Sequence, residues 1–457
     1  MIKKSLIAFI ALGSMAHQIH ADKAYVSCRN TVSIFNTVTN TVSGTVIDTG
    51  STIIDSSYIA FTPDGKTAYV ANNNNPAFDS ISIINVADNT VSGVVDMGTA
   101  NFTSIQSLGI TPDRTKMYVV DSGTNNVGIV DLTVTPNTYI NNVTIGAFPF
   151  KAPNSIAITP DGTKAYVTNS GTGGTGANQV SVIDVENNTV IGYVADPGST
   201  FNIPCVVTMS PDGTTAYVGN KGTALTGTTI NTDSIINVPT DISLGTVTGS
   251  IGGISVPSIF QPIGLIVSPD GKTLYILNNV VNGIITVWDI TNSSVITTIP
   301  TLVGSITYRF AITSNGKNLY ATNVTPDTVS IISATTNTIT GDVTDLNPPT
   351  FIDPFAIAIV PELAGTPSSA SGLQVANIFL TETEFVNVLN WTAASGSPVS
   401  YSIYRDAALT NLAGAVSANT LTFQDHDQPN SSATYYIVSV DQYGAVSLPV
   451  VVAVQAV

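Results

Sequence analysis

Histidine is almost missing from this chain: three among 457 residues, at His17, His20 and His426. The long stretch between the last two therefore has no imidazole for a Ser-His nucleophile pair and none to ligate copper or iron. Charge is thin as well. Charged residues make up 10% of the chain, with 14 Lys and Arg against 30 Asp and Glu. The resulting acidic field repels phosphate backbones and anionic lipid, so nucleic acid is a poor partner. Long apolar runs are lacking too; none reaches the length needed to insert into a membrane, and the apolar C-terminus, 448–457, is only strand length.

What is present starts with an export signal over residues 1–21. Lys3 and Lys4 form its basic region, Leu6 to Leu12 its apolar stretch and Ile19-His20-Ala21 its small-residue cleavage site. No Cys follows Ala21, which argues against a lipid anchor. Removing Lys3 and Lys4 from the 14 basic residues leaves 12 against 30 acidic ones, a net charge of −18. The expected location is periplasmic, cell-surface or secreted.

One motif then recurs seven times: Ala24-Tyr25-Val26, Ala68-Tyr69-Val70, Met117-Tyr118-Val119, Ala165-Tyr166-Val167, Ala216-Tyr217-Val218, Leu274-Tyr275-Ile276 and Leu319-Tyr320-Ala321. Six copies follow a short alternating strand and a tight turn, as in Ile156-Ala157-Ile158-Thr159-Pro160-Asp161-Gly162. Counted from Pro63, the turns advance by 49, 48, 51, 58, 45 and 47 residues through Pro112, Pro160, Pro211, Pro269, Ser314 and Pro361. Strands repeating at about 50 residues predict radial blades of four antiparallel strands each. The N-terminus begins on a second strand, and 355–359 is a first strand with no successors. Joined, they complete one blade, so the expected fold is all-β: a seven-bladed β-propeller over 22–363, closed by N- and C-terminal strands in one blade. Cys28 and Cys205 then fall on opposite sides of the ring, beyond the ~7 Å that a disulfide can bridge, and are expected as buried free thiols. The recurrent Tyr reads as a packing residue.

Pro-Asp-Gly-x-x-x-Tyr-Val-x-Asn followed by Val-x-Val-Ile-Asp resembles the YVTN β-propeller repeat, with Ala165 to Asn169 matching its signature closely. The resemblance covers Asp22 to about Pro361. It implies the propeller fold and a family that includes surface-layer, periplasmic and lactonase-like members. Lactonase-like propellers place a histidine in the pocket, and this stretch has none.

A small-residue linker spans 364–372. Beyond it the period stops, and 385–391, 400–405, 420–424, 434–441 and 446–452 read as strands of a β-sandwich over 373–457. Trp391, Tyr401-Ser402-Ile403-Tyr404-Arg405 and the run Tyr435 to Asp441 resemble a fibronectin type III domain, which implies Tyr435 or Tyr436 as its corner tyrosine and a spacing or adhesive job. Asp425-His426-Asp427 reads as a solvated turn, since calcium takes six to eight oxygens and no acidic loop of that density occurs.

Strand alternation puts the tight turns on one face of the ring and the long loops on the other: 72–79, 146–154, 169–179, 219–233 and 252–262. Function concentrates in such loops. Phe102, Phe148, Phe150, Phe201, Phe260 and Phe351 all lie in fourth-to-first loops. They are expected either to ring the channel mouth as an aromatic recognition surface or to plug the gaps between blades. The expected function is binding or adhesion, without catalysis or cofactor, toward a protein or glycan. A hydrolase or lactonase using carboxylates stays open, although no carboxylate pair stands out by spacing. A purely structural envelope role is the third reading.

Overall fold

The computed structural model describes residues 23–73, 79–96, 102–222, 233–247, 261–278, 283–301, 307–345 and 351–361. Towards the C-terminus it describes 376–381, 384–391, 400–407, 411–417, 420–425, 433–440, 447 and 449–454. The export signal, the linker and Phe260 lie outside the described residues. Among the described residues every regular element is a β-strand.

Up to Pro361 the strands form seven four-stranded antiparallel sheets. Six are consecutive in sequence. The other joins the two ends of the repeat region: Ala356–Ile359 pairs with Lys23–Cys28, Ala24 opposite Ile359 and Ser27 opposite Ala356. The first strands of the sheets are Ser56–Phe61, Ile105–Ile110, Pro153–Ile158, Pro204–Met209, Pro262–Val267, Thr307–Ile312 and Ala356–Ile359. Each neighbours the next, and the last neighbours both Thr307–Ile312 and Ser56–Phe61, so the order closes on itself. This is a β-propeller arrangement. Counted around the ring, the sheet containing Lys23–Cys28 is sheet one and the sheet containing Asn318–Asn323 is sheet seven.

Burial explains why the second strand carries the clearest signature. In every sheet it is buried at five of six positions, because neighbouring sheets cover both its faces. The fourth strands lie at the rim, and Thr41–Thr45 and Thr338–Asp342 have no buried residue at all. The Tyr of each second strand spans the seam to the next sheet. Tyr69 donates to Asn137 at 2.8 Å, Tyr118 to Asn188 at 2.7 Å and Tyr320 to Asn40 at 2.6 Å. Tyr25 reaches Asn89, and Tyr166 reaches Asp241. Asn40, Asn89, Asn188 and Asp241 sit at the end of a third-to-fourth turn with φ between 52° and 58°, a left-handed conformation that Asn and Asp tolerate best among residues with a Cβ. The Tyr320 bond links sheet seven to sheet one across 280 residues.

The first-to-second turns repeat one device. The hydroxyl before the Pro donates to the Asp after it: Thr62 to Asp64 at 2.6 Å, Thr111 to Asp113 at 2.6 Å and Ser210 to Asp212 at 2.6 Å. The same hydroxyl accepts the amide that begins the second strand. Gly162 takes φ 71° there, and Arg114, which stands in place of Gly, takes φ 62°.

Cys28 and Cys205 are unbridged. Cys28 is buried at the end of a second strand, and Cys205 is half-buried on a first strand, so the two expected buried thiols differ in depth. Unfolded in alkylating reagent without reductant, the chain should gain two adducts per molecule by intact mass. A product carrying none would reveal a disulfide.

Beyond the repeats lie a three-stranded sheet, Ala376–Thr381, Glu384–Asn390 and Thr422–Asp425, and a four-stranded one, Leu412–Ser417, Ser400–Tyr404, Ala433–Val440 and Val450–Val454. Leu389, Trp391, Tyr401, Ile403, Tyr435, Ile437, Val452 and Val454 form their common core. Two of the seven strands, at 376 and 412, carry too little alternation to be read from sequence. Asp425 is no solvated turn residue: it is buried, receives both arms of Arg405 at 2.9 and 2.6 Å, and accepts from Tyr435 at 2.7 Å. His426 and Asp427 lie outside the described residues.

Candidate functional site

The two faces of the ring differ in kind. One repeats the same hydrogen-bonded turn from sheet to sheet, while the other carries loops of unequal length and sequence.

On the loop face, the last residue of the second strand organises the entry to the first in four sheets. Asn72 donates its side-chain amide to Ser82 at 2.9 Å, Asn169 to Ser181 at 2.9 Å and Asn220 to Ser234 at 2.9 Å, tying second strand to third. Its carbonyl oxygen accepts a loop amide 18 residues earlier: Ile54 N to Asn72 at 3.3 Å, Lys151 N to Asn169 at 3.0 Å and Asn202 N to Asn220 at 3.1 Å. Asp121 does the same for Thr103 at 3.2 Å.

The residue just before each anchored amide is a plug. Ile53, Phe102, Phe150 and Phe201 are buried in the seams, each in a different hydrophobic cluster, and Phe351 is buried likewise. Gly128 makes room for one of them; a Cβ there would come within 2.3 Å of Phe102. Phe148 is half-buried edge-on against Tyr193, with ring centroids 5.3 Å apart. The expected aromatic surface is thus corrected. Phe102, Phe150, Phe201 and Phe351 seal seams because burying a Phe side chain contributes about 1.5–3 kcal/mol, and exposing it forfeits that. Ile53 holds the equivalent place, which marks the position as one for packing.

The residue after each plug points out. Ile54, Thr103, Lys151, Asn202 and Ile352 are all exposed, Ile54 at 41% and Ile352 at 47%. The backbone of this position is held the same way in four loops while its side chain differs each time. A constant offset of 18 from the motif Asn or Asp was its available sequence signal.

The seven first strands enclose a channel. Toward the loop face it widens into a cavity of about 490 Å³ to which all seven contribute, among them Tyr58, Gln106, Ser155, Cys205 and Arg309. Toward the turn face a second cavity of about 510 Å³ is bordered by Pro63, Pro112, Pro160, Pro211, Pro269 and Pro361. Among the described residues Arg309 is the only charged one lining either. Its guanidinium donates to the Ile263 carbonyl at 3.2 Å, from sheet seven to sheet six. Burial pushes the Cys205 thiol up to about 12, which keeps it protonated, donating to the Pro262 carbonyl at 2.9 Å.

Sheet five departs from its sisters at one buried place. Opposite Gly219 stands Asp233, where the other sheets carry Val32, Ile81, Val127, Val180, Ile285 and Val329. Asp233 is fully buried, neither oxygen has a hydrogen-bond partner among the described residues, and burial pushes its carboxyl well above the usual range. Among the described residues no group of three or more metal-ligating side chains occurs, and no helix is long and apolar enough to cross a membrane.

No family model matches the chain, and no curated protein matches it. Solved structures do resemble it. A functionally unknown protein from Desulfotomaculum acetoxidans aligns with TM-score 0.54 and 18% identity over 74% of this chain and 98% of that one. A proposed 6-phosphogluconolactonase from Bacteroides fragilis aligns with TM-score 0.53 and 16% identity over 74% and 98%. Hydrazine synthase from Kuenenia stuttgartiensis gives TM-score 0.50 and 21% identity over 61% and 76%. At these identities the likeness shows the β-propeller fold alone.

Proposed function

We propose that this chain is an exported, non-catalytic binding or adhesion protein that recognises a protein or glycan through the loop face of its propeller. Residues 1–21 then act as a cleaved signal, and 22–363 form a seven-bladed propeller of YVTN-type repeats. A linker over 364–372 leads to a fibronectin type III-like sandwich over 373–457, with Tyr435 as its corner tyrosine. The observation that carries the reading is the one-sidedness of the ring. A constant scaffold holds the backbone of Ile54, Thr103, Lys151 and Asn202 alike, and only their exposed side chains vary. Rigid support beneath variable side chains is how scaffolds carry recognition loops.

A lactonase is the second reading, favoured by the names of two neighbours. It meets a shortage of bases. Among the described residues no carboxylate lines the channel, and Asp233, whose burial disfavours its ionised form, lies away from that lining.

Immobilised mature protein should capture a partner from envelope and surface extracts, and Ile54→Asp/Lys151→Glu/Ile352→Asp should lose it while melting like the parent. Equal capture by both would move recognition off this face. Capture by neither would favour a structural envelope role.

A further inference from the structure

The channel wall is divided into a polar and an aliphatic part. Counted back from the turn, one position on the first strands carries Tyr58, Ser107 and Ser155 on sheets two, three and four. On sheets five, six and one the same position carries Val206, Gly264 and Ala356, and on sheet seven Arg309. The residue before it is Gln106 and Asn154 on sheets three and four, and Cys205 and Ile263 on sheets five and six. All of these border the cavity on the loop side. Cys205 donates to the Pro262 carbonyl at 2.9 Å, and Arg309 is tied to the Ile263 carbonyl at 3.2 Å. Neutral polar side chains thus gather on three adjacent sheets. Sheets five, six and one form the same strand with aliphatic residues or Gly there, so the fold itself does not require them.

A second, independent observation lies on the polar side. Ser107 is 2% exposed, and its hydroxyl has no hydrogen-bond partner among the described residues. Its sister Ser155 accepts the Val207 amide at 3.3 Å. A buried polar group without a partner is uncommon and calls for a reason, and this one stands in the wall of a cavity. Beside it the Gln106 amide donates to the Ser104 hydroxyl at 2.8 Å, which fixes the carboxamide and leaves its oxygen to accept. The cavity volume lies within the roughly 300–1,000 Å³ typical of small-molecule sites.

From this division we infer that the loop-side end of the channel binds a neutral pyranose, the terminal unit of a glycan. Its hydroxyls meet Tyr58, Gln106, Ser107 and Asn154, and its C–H face lies toward Ile263 and Ala356. The inference rests on the loop-face reading above and narrows the partner to a glycan. Hydroxyls and carboxamides both donate and accept, and sugar hydroxyls do the same, so each group on the polar side can pair in either direction. A pyranose is also two-sided, with hydroxyls at its edge and C–H bonds on its faces, and the wall has the same two sides. A nucleobase fits less well. It is held by stacking on aromatic faces, whereas the positions across from the polar side are Val206, Ile263, Gly264 and Ala356.

Calorimetric titration of the mature chain with the methyl glycosides of glucose, galactose, mannose and N-acetylglucosamine tests the inference. At least one should bind saturably, and more tightly than cyclohexylmethanol, which keeps the ring and drops most of the hydroxyls. The methyl glycoside of glucuronic acid should bind no more tightly than that of glucose. Gln106→Leu/Asn154→Leu should weaken the bound sugar by roughly tenfold, the scale of losing two hydrogen bonds. Binding of none of the four sugars would overturn the inference, as would cyclohexylmethanol binding equally well, a clear preference for the glucuronide, or unchanged binding by the double variant. The ligand comparisons on the parent decide even if the variant fails to fold. A macromolecule captured by the loop face while none of the four sugars binds would overturn this inference alone. Sugar binding with nothing captured would support the channel site and count against the wider surface.

Discussion

A chain ended after Leu346 should unfold on the order of 10 °C below one ended after Glu362, both followed by far-UV circular dichroism. The second keeps Ala356–Ile359 and the first loses it, so the comparison isolates the strand that joins the two ends of the ring. Ala356, Ile357 and Val360 are buried between sheets seven, one and two, with Phe355 packed beside them. At about 1.5–3 kcal/mol per large buried side chain, the strand contributes roughly 5 kcal/mol. Chains of 150–250 residues shift by about 2–4 °C per kcal/mol, and larger ones by somewhat less. The seam would not be bare after truncation. Tyr320 still reaches Asn40, and the Val42 amide still reaches the Thr344 carbonyl at 3.0 Å. Those contacts lie towards the rim, however, and polar contacts of this kind add only about 0.5–1.5 kcal/mol each. Ile357→Asp in the full chain should act in the same direction by placing a carboxyl in the seam. Coincident melting curves for the two shortened chains would show that the rim contacts hold the ring alone.

Much of this architecture could be read from sequence because it depends on burial. The second strands, covered on both faces, repeat as apolar runs, five of them ending in Asn, and four of the turns before them read Pro-Asp-Gly. The lone strand 355–359 could be assigned to the N-terminal sheet by counting what each end lacked. Of the two expectations for the loop Phe residues, the aromatic surface failed because composition stood in for position. Phe is conspicuous, but Phe102, Phe150, Phe201 and Phe351 share their place with Ile53, and an aliphatic and an aromatic residue exchange freely only in a packing site. The outward residues gave no compositional signal, since Thr103, Lys151 and Asn202 have nothing in common but their distance from the motif Asn or Asp. Arg309 and Asp233 were hidden for a different reason. Each is ordinary as a residue and unusual only against its six structural equivalents, and the third-strand register was not countable through the insertion that precedes Asp233.

Asp233→Val should stabilise the chain by about 2 kcal/mol at pH 7, the scale of leaving a buried polar group without a partner, and by clearly less at pH 4.5. Val restores what the sister sheets carry, Val32, Val127, Val180 and Val329 among them. Space is tight there but aliphatic: a Cβ added at Gly219, opposite in register, would meet Val206 at 2.6 Å and Pro262 at 3.2 Å. The pH dependence follows from the proton. Burial raises the folded-state carboxyl above the ordinary 3.8, so the folded chain holds this proton more tightly than the unfolded one. Stability is then intact below 3.8 and is lost as pH rises from there through the folded-state value. The turn carboxylates titrate in the opposite sense. Burial pushes Asp64, Asp113, Asp161 and Asp212 upward, but hydrogen bonds from neighbouring hydroxyls and amides outweigh it, and the net shift is downward. Their contribution is lost as pH falls, equally in parent and variant, so it cancels from the difference. Urea denaturation of both chains at pH 4.5 and 7 measures that difference. A gain independent of pH would mean that Asp233 stays ionised in the folded chain, and a loss would mean that its carboxyl has a partner. A gain that widens with pH would identify Asp233 as a residue held at a cost to stability in the sheet that also supplies Cys205 to the channel, and this is the pattern expected where a fold is bent toward a function.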